Sequence, residues 1–338
     1  MIHVDRLSRT FVVHEKAPGL AASLRSLVLR KKVEKRAVRE VSFHVGEGEI
    51  VGLVGANGAG KTTLVKMLAG IVHPTSGDAR VLGHQPWKRA NELRRQIALV
   101  MGQKASLWWD LPAADSFLLL REIYQIPEAD YRRRLDYLSG ALEVRDELGV
   151  QLRRLSLGER MKMELIATLL HAPKVVFLDE PTIGLDLTAQ RTIREFLLQY
   201  RADHKPAMIL TSHYMEDIEE LCERILLIQE GRLVYDGPLE EVVTTYAPFK
   251  TLTAHFHVGA EASSLPSAEE LPGEVLDLDA CHVRLQVPRG EVSRSAQELL
   301  QRFPVADISI EEAEVGSVIE QIFRDGQLRD EPQREPAP

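Results

Sequence analysis

Five short, nearly unbroken apolar runs punctuate the first two thirds of the chain. They are EIVGLV at 49–54, IALVM at 97–101, VVFL at 175–178, AMIL at 207–210 and ILLI at 225–228. Runs of this length without alternation suit strands covered on both faces, as in the parallel sheets of α/β folds. Between the second and third runs, over about 110–171, only helical spacing is found, as in ADSFLLLREIYQ and GERMKMELIATLLH. That predicts a helical subdomain inserted into the α/β core. The pattern changes after 245. LTAHFHV and HVRLQV alternate, VSRSAQELLQRF is helical, VADISIEE alternates, and GSVIEQIFRDG is helical again. A small α+β unit over 246–326 is therefore expected. The charged, proline-rich 327–338 is expected to be disordered.

Composition adds bounds. The chain has 338 residues, 44% of them hydrophobic and 27% charged, enough for two globular domains. Its net charge of −8 argues against nucleic acid as a main partner, which would favour a basic balance. Cys222 and Cys281 are far apart and form no metal-type spacing, which suits reduced thiols in a cytoplasmic protein. No apolar run approaches the roughly 18 residues a bilayer crossing needs. The opening MIHVDRLSRT lacks the apolar core of a signal peptide. Any membrane location is thus expected to come through a partner.

Candidate chemistry begins at GANGAGKT, residues 55–62. Gly55, Gly60, Lys61 and Thr62 match the phosphate-loop pattern, preceded by a predicted strand and followed by the predicted helix KTTLVKMLAG. Glycines let backbone N–H groups turn inward around phosphates, and the helix N-terminus adds positive potential. Ala56, Asn57, Gly58, Ala59 and Thr63 complete the nucleotide-binding stretch. Lys61 is expected to reach the β- and γ-phosphates, and the Thr62 hydroxyl to ligate Mg²⁺. In VVFLDEP, at 175–181, Asp179 ends a buried strand, where it can hold Mg²⁺ through water. Glu180 beside it is placed to polarise an attacking water.

The motifs that follow make the reading specific. MGQ stands at 101–103, LSLGE at 155–159, FLDEPT at 177–182, GLD at 184–186 and TSH at 211–213. With the phosphate loop, these six motifs in this order resemble the ATP-binding-cassette (ABC) ATPases over roughly residues 1–245. The resemblance implies a P-loop NTPase cassette: a mixed-sheet α/β core, an antiparallel β subdomain and a helical subdomain, followed here by the small α+β domain. It implies ATP and Mg²⁺ as ligands, and a second copy of the chain as partner in a nucleotide-sandwich dimer. Gln103 would touch Mg²⁺ and the attacking water. Ser156 and Gly158 would reach the γ-phosphate bound by the other copy, Asp186 would cross the interface, and His213 would hold the γ-phosphate and position the water. The aromatic that stacks on adenine would be Phe11, although a core position is an equal reading. Where the family signature is LSGGQ, this chain has Leu157 and Glu159. Ser156 and Gly158 are kept, so an active site is expected. The bulk of Leu157 is expected to slow closure.

Within this family the DNA-repair members carry a long coiled coil between phosphate loop and signature. The ribosome-associated members carry two cassettes. Neither feature is found here. The remaining class is the transporter motor, working with separate transmembrane permease chains at the inner face of the cell membrane. Residues 19–38, GLAASLRSLVLRKKVEKRAV, place Leu20, Leu24, Leu27 and Val28 at helical spacing before Arg30, Lys31, Lys32, Lys35 and Arg36. This predicts a basic amphipathic helix for a membrane surface or a partner groove, the alternative being a solvated loop with a helix packed on its own domain. The insertion resembles the gate-helix region of lipid-linked polysaccharide exporters. LGHQPWKR and the chain after 245 look more like the drug-resistance group of exporters. Trp108 and Trp109 follow the MGQ motif, where cassettes meet permeases, and core packing is the other reading for them. A regulatory ATPase that uses the cassette as a switch is the non-transport alternative.

Overall fold

The computed structural model describes residues 1–15, 31–102, 106–257, 266–312 and 315–325. Contacts divide the chain into two compact units, Met1–Gly237 and Pro238–Pro338.

In the first unit, each of the five apolar runs forms a strand of one six-stranded sheet. The strands are β3 (Ile50–Val54), β5 (Ile97–Met101), β6 (Val175–Asp179), β7 (Ala207–Thr211) and β8 (Arg224–Gln229). They run parallel in the order β5-β6-β7-β3-β8. Every residue of β3, β6 and β7 is buried, as expected for central strands covered on both sides. β9 (Arg232–Pro238) follows β8 through the turn Glu230–Gly231, whose two residues have φ of 48° and 82°. So short a turn returns the chain antiparallel and makes the sheet mixed.

A three-stranded antiparallel sheet, β2-β1-β4, is built from β1 (Ile2–Glu15), β2 (Lys31–Val45) and β4 (Ser76–Val81). Its buried Leu7, Val41 and Phe43 belong to one core with Leu53, Leu64 and Phe177. Among the described residues, seven α-helices connect or flank these strands, and an eighth opens the second unit. α1 is Lys61–Leu68, α2 Asn91–Arg94, α3 Ala113–Tyr124, α4 Glu128–Ala141 and α5 Leu157–Leu169. α6 is Leu187–His204, α7 Met215–Leu221 and α8 Leu239–Tyr246. α3, α4 and α5 fall between β5 and β6, in the stretch where only helical periodicity is seen.

β2 corrects one expectation. Lys31, Lys32, Lys35 and Arg36 lie on a strand, opposite Glu15, His14, Phe11 and Thr10 of β1, and not on a basic helix. Neighbouring side chains on a strand point to opposite faces, so Lys35 and Arg36 cannot share one basic stripe. Backbone pairing with β1 satisfies their amides in a way local helical spacing could not foresee. The apolar part of that predicted helix, with Leu20, Leu24, Leu27, Val28 and Arg30, lies outside the described residues, as does the tail at 327–338.

The second unit contains a four-stranded antiparallel sheet, β11-β12-β10-β13. Its strands are β10 (Phe249–Phe256), β11 (Glu274–Leu278), β12 (His282–Pro288) and β13 (Val305–Glu311). α9 (Val292–Arg302) places Val292, Ala296 and Leu299, spaced by about one turn, against Leu252, Ala254, Val283 and Leu285. Fully burying a side chain such as Leu299 contributes roughly 1.5–3 kcal/mol. α10 (Val315–Asp325) ends the described chain.

Candidate nucleotide site

The loop between β3 and α1 depends on two glycines. A Cβ on Gly55 would lie 2.3 Å from the Ile228 carbonyl oxygen. At Gly60, φ is 113° and a Cβ would lie 2.2 Å from the Ala37 carbonyl oxygen. Only glycine allows this backbone, which leads directly into the first turn of α1. Ala56, Asn57 and Gly58 form the exposed rim, while Ala59 and Gly60 are buried beneath it. Lys61 opens α1 and is only 7% exposed. Its Nζ donates to the carbonyls of Gly55 (2.6 Å) and Ala56 (3.3 Å). Burial lowers its pKa below the ordinary lysine value, with Glu180 and then Asp179 pulling it back up. A cation spanning the loop, close to two carboxylates, is held ready for a more negative ligand.

Asp179 ends β6 and is nearly buried. Its Oδ1 accepts from Thr211 Oγ1 (2.8 Å) and Thr62 Oγ1 (3.3 Å). Glu180 adopts a left-handed φ of 59°, and its amide donates to the Thr211 carbonyl (3.0 Å). His213 Nε2 lies 2.8 Å from Glu180 Oε1. The structure thus brings Lys61, Thr62, Asp179, Glu180 and His213 together from three separate stretches of sequence. Thr63 follows on the first turn of α1. Gln103 lies outside the described residues. Gly102 before it donates its amide to the Asp179 carbonyl (2.9 Å), and a Cβ there would lie 1.9 Å from the Glu180 carbonyl oxygen.

Ser156, Gly158 and Asp186 gather elsewhere, around the starts of α5 and α6. Ser156 caps α5 in a reciprocal box: its Oγ accepts from the Glu159 amide, while Glu159 Oε2 accepts from the Ser156 amide (2.7 Å) and hydroxyl (2.8 Å). Asp186 caps α6 by accepting from the Ala189 amide (2.8 Å). A Cβ on Gly158 would stand 2.8 Å from the Ala189 Cβ, so glycine permits the close approach of the two helix starts. Leu157 is 44% exposed beside Gly184. Phe11 sits on β1, partly exposed, with the Arg9 guanidinium 4.5 Å from its ring centre. Trp108 and Trp109 are 46% and 50% exposed, which excludes the core-packing reading. Arg160 lies over the Trp109 ring at 4.7 Å.

Sequence reasoning placed Thr211 in the TSH motif but gave it no role; its hydroxyl joins Asp179 to the Glu180 amide. Asp217 was missed, because it lies in the acid-rich MEDIEELCER, which reads as a solvated helix.

The donor set fits a magnesium–nucleotide complex. Thr62 and Asp179 present hard oxygen ligands to one point. The glycine-lined loop with its buried lysine suits a polyphosphate. An α/β cassette with this loop and these two carboxylates defines an NTPase of the phosphate-loop class, and comparison with known proteins makes it particular. Residues 38–183 match the ABC transporter family, and residues 248–311 match the C-terminal domain of EvrA-like ABC transporters. The ABC transporter ATP-binding protein NatA of Bacillus subtilis is 33% identical over 213 residues, covering 63% of this chain and 86% of NatA. Nod factor export ATP-binding protein I of Paraburkholderia xenovorans is 31% identical over 262 residues, covering 75% and 86%. A solved ATP-binding subunit of an ABC transporter superposes with a TM-score of 0.60 at 25% identity, over 72% of this chain and 92% of that one. The chain belongs to the ATP-binding subunits of ABC transporters, and it binds and hydrolyses ATP. No helix among the described residues is long and apolar enough to cross a membrane.

Proposed function

We propose that this chain energises an exporter whose permease is a separate membrane protein, and that two copies close over two ATP molecules and reopen on hydrolysis. The observation that carries the chemical reading is the 2.8 Å pairing of Glu180 with His213 beside the Thr62–Asp179 contact. Lys61 and the amides of residues 55–60 hold the phosphates. Thr62, Asp179 and Gln103 are the residues to hold Mg²⁺, which when bound neutralises charge on the β- and γ-phosphate oxygens. Glu180 accepts a hydrogen bond from the attacking water and so polarises it, and His213 holds Glu180 and the γ-phosphate in register. Ser156 and Gly158 reach the γ-phosphate of the other copy, with Asp186 at the interface. Phe11 stacks on adenine through the ring face that Arg9 leaves open.

The export direction is supported by the relative named for Nod factor export. The exposed Trp108 and Trp109, with Leu118, Leu119 and Ile123 along α3, supply an apolar surface for the permease. That contact would hold the chain at the inner face of the membrane. The glycan-export alternative rests on the resemblance of residues 19–38, of which 19–30 lie outside the described residues.

The test is Glu180→Gln. ATP binding should persist while turnover falls by roughly 10²–10⁴, the usual worth of a positioned general base. Turnover at the wild-type rate would overturn the assignment.

A further inference from the structure

Asp217 is fully buried near the start of α7. Its Oδ2 accepts from two hydroxyls, Thr182 Oγ1 at 2.5 Å and Ser212 Oγ at 2.6 Å. Its Oδ1 accepts from Arg194 Nη1 at 3.1 Å. Arg194, on α6, is itself 7% exposed, and its Nε reaches Glu220 at 2.8 Å. A buried carboxylate is costly unless its oxygens are all occupied, and here they are.

The position of the two hydroxyls gives this network its meaning. Thr182 stands two residues after Glu180, and Ser212 stands between Thr211 and His213. On the other side of the same two segments, Thr211 Oγ1 donates to Asp179 at 2.8 Å. The segments bearing Glu180 and His213 are therefore tied at both ends, by Asp179 on one side and Asp217 on the other. The Glu180 backbone needs such support, because its φ of 59° is in the left-handed region that a side chain bearing a Cβ disfavours. Ser212 also accepts from the Tyr214 amide at 3.0 Å, which fixes the chain on the far side of His213.

We infer that Asp217 is a positioning residue for ATP hydrolysis: through Thr182 and Ser212 it sets the approach of His213 to Glu180, with Arg194 orienting its carboxylate. The inference rests on the reading that Glu180 and His213 act on the attacking water. It predicts an effect on the chemical step out of proportion to any effect on nucleotide binding or folding, which a merely structural ion pair between α6 and α7 would not produce.

The experiment compares the full chain with Glu180→Gln, Ser212→Ala, Thr182→Val and Thr182→Ser. It measures kcat, KM for ATP, and the tryptophan-monitored unfolding midpoint. Ser212→Ala and Thr182→Val should each lower kcat about 10- to 100-fold, the scale of a misplacement of under an ångström to an ångström. KM for ATP should stay within about twofold of wild type, because Lys61 and the loop amides that grip the phosphates are untouched. Thr182→Ser, which keeps the hydroxyl, should recover most of the lost rate. Wild-type kcat in both Ser212→Ala and Thr182→Val, with Glu180→Gln inactive, would overturn the inference and leave the catalytic reading standing. So would a rate loss that disappears when activity is normalised to folded protein. Wild-type kcat in Glu180→Gln would overturn the underlying reading, and the inference with it.

Discussion

His171 makes the cassette's stability depend on pH in a way that can be worked out in advance. It follows α5, stacked on the Tyr124 ring at 4.0 Å with the planes 6° apart. Its Nε2 lies 3.1 Å from the Ile97 carbonyl, while its buried Nδ1 has no partner among the described residues. The tautomer with hydrogen on Nε2 suits this site, and the imidazolium does not. Burial pushes its pKa down to about 4 from the ordinary 6.5, with the Ile97 carbonyl pulling upward and Arg134 pushing down. As pH falls, the unfolded chain therefore takes up the proton first. The stabilisation is complete above 6.5 and is lost as pH falls towards 4. At about 1.4 kcal/mol per pH unit, the whole gap is worth about 3 kcal/mol, of which about 2 kcal/mol disappears between pH 7 and pH 5. The three tryptophans, Trp87, Trp108 and Trp109, all lie in the unit Met1–Gly237, so tryptophan fluorescence in urea follows that unit alone. His171→Gln keeps a donor for Ile97 and does not titrate. It should be less stable than wild type at pH 7, yet lose about 2 kcal/mol less on going to pH 5. Parallel losses in the two proteins would refute the reasoning.

Two further outcomes follow from the site. Lys61→Met keeps the buried aliphatic stem and removes the ammonium; with charged hydrogen bonds worth about 1.5–3 kcal/mol, the Kd for ATP should rise roughly 10- to 100-fold in a calorimetric titration. An unchanged Kd would remove Lys61 from the phosphate contact. Glu159→Ala dismantles the capping box at Ser156 and should cost about 1 kcal/mol in urea unfolding, whereas Glu159→Gln, which can still accept from the Ser156 amide, should cost much less. Equal losses in the two variants would show that the box contributes nothing.

Much of the cassette was legible because its signals are local. The phosphate loop is one continuous stretch in which strand, glycine turn and helix start fall within a dozen or so residues, so the backbone that contacts phosphate is specified where it is read. The five parallel strands announce themselves because central strands, buried on both faces, need no polar alternation. Ser156 and Gly158 are also local, since they keep their places within the short LSLGE motif.

Other features could not be read that way. The basic residues after position 30 have helical-looking neighbours, yet they form β2, because β1 offers a partner whose pairing satisfies their backbone. Trp108 and Trp109 read equally well as core or surface, and only packing leaves them half exposed. Asp217 sits in a run of acids that looks solvated, and it is buried because Arg194, Thr182 and Ser212 converge on it from other elements. By itself the sequence determined what lies within reach of a turn: the strands of the core sheet, the phosphate loop and the acidic pair 179–180. Only the tertiary structure decided how Thr62, Asp179, Glu180, Thr211 and His213 meet. A hydrogen bond between residues more than a hundred positions apart, such as Thr62 to Asp179, depends on how whole strands stack side by side, and no local periodicity encodes that order.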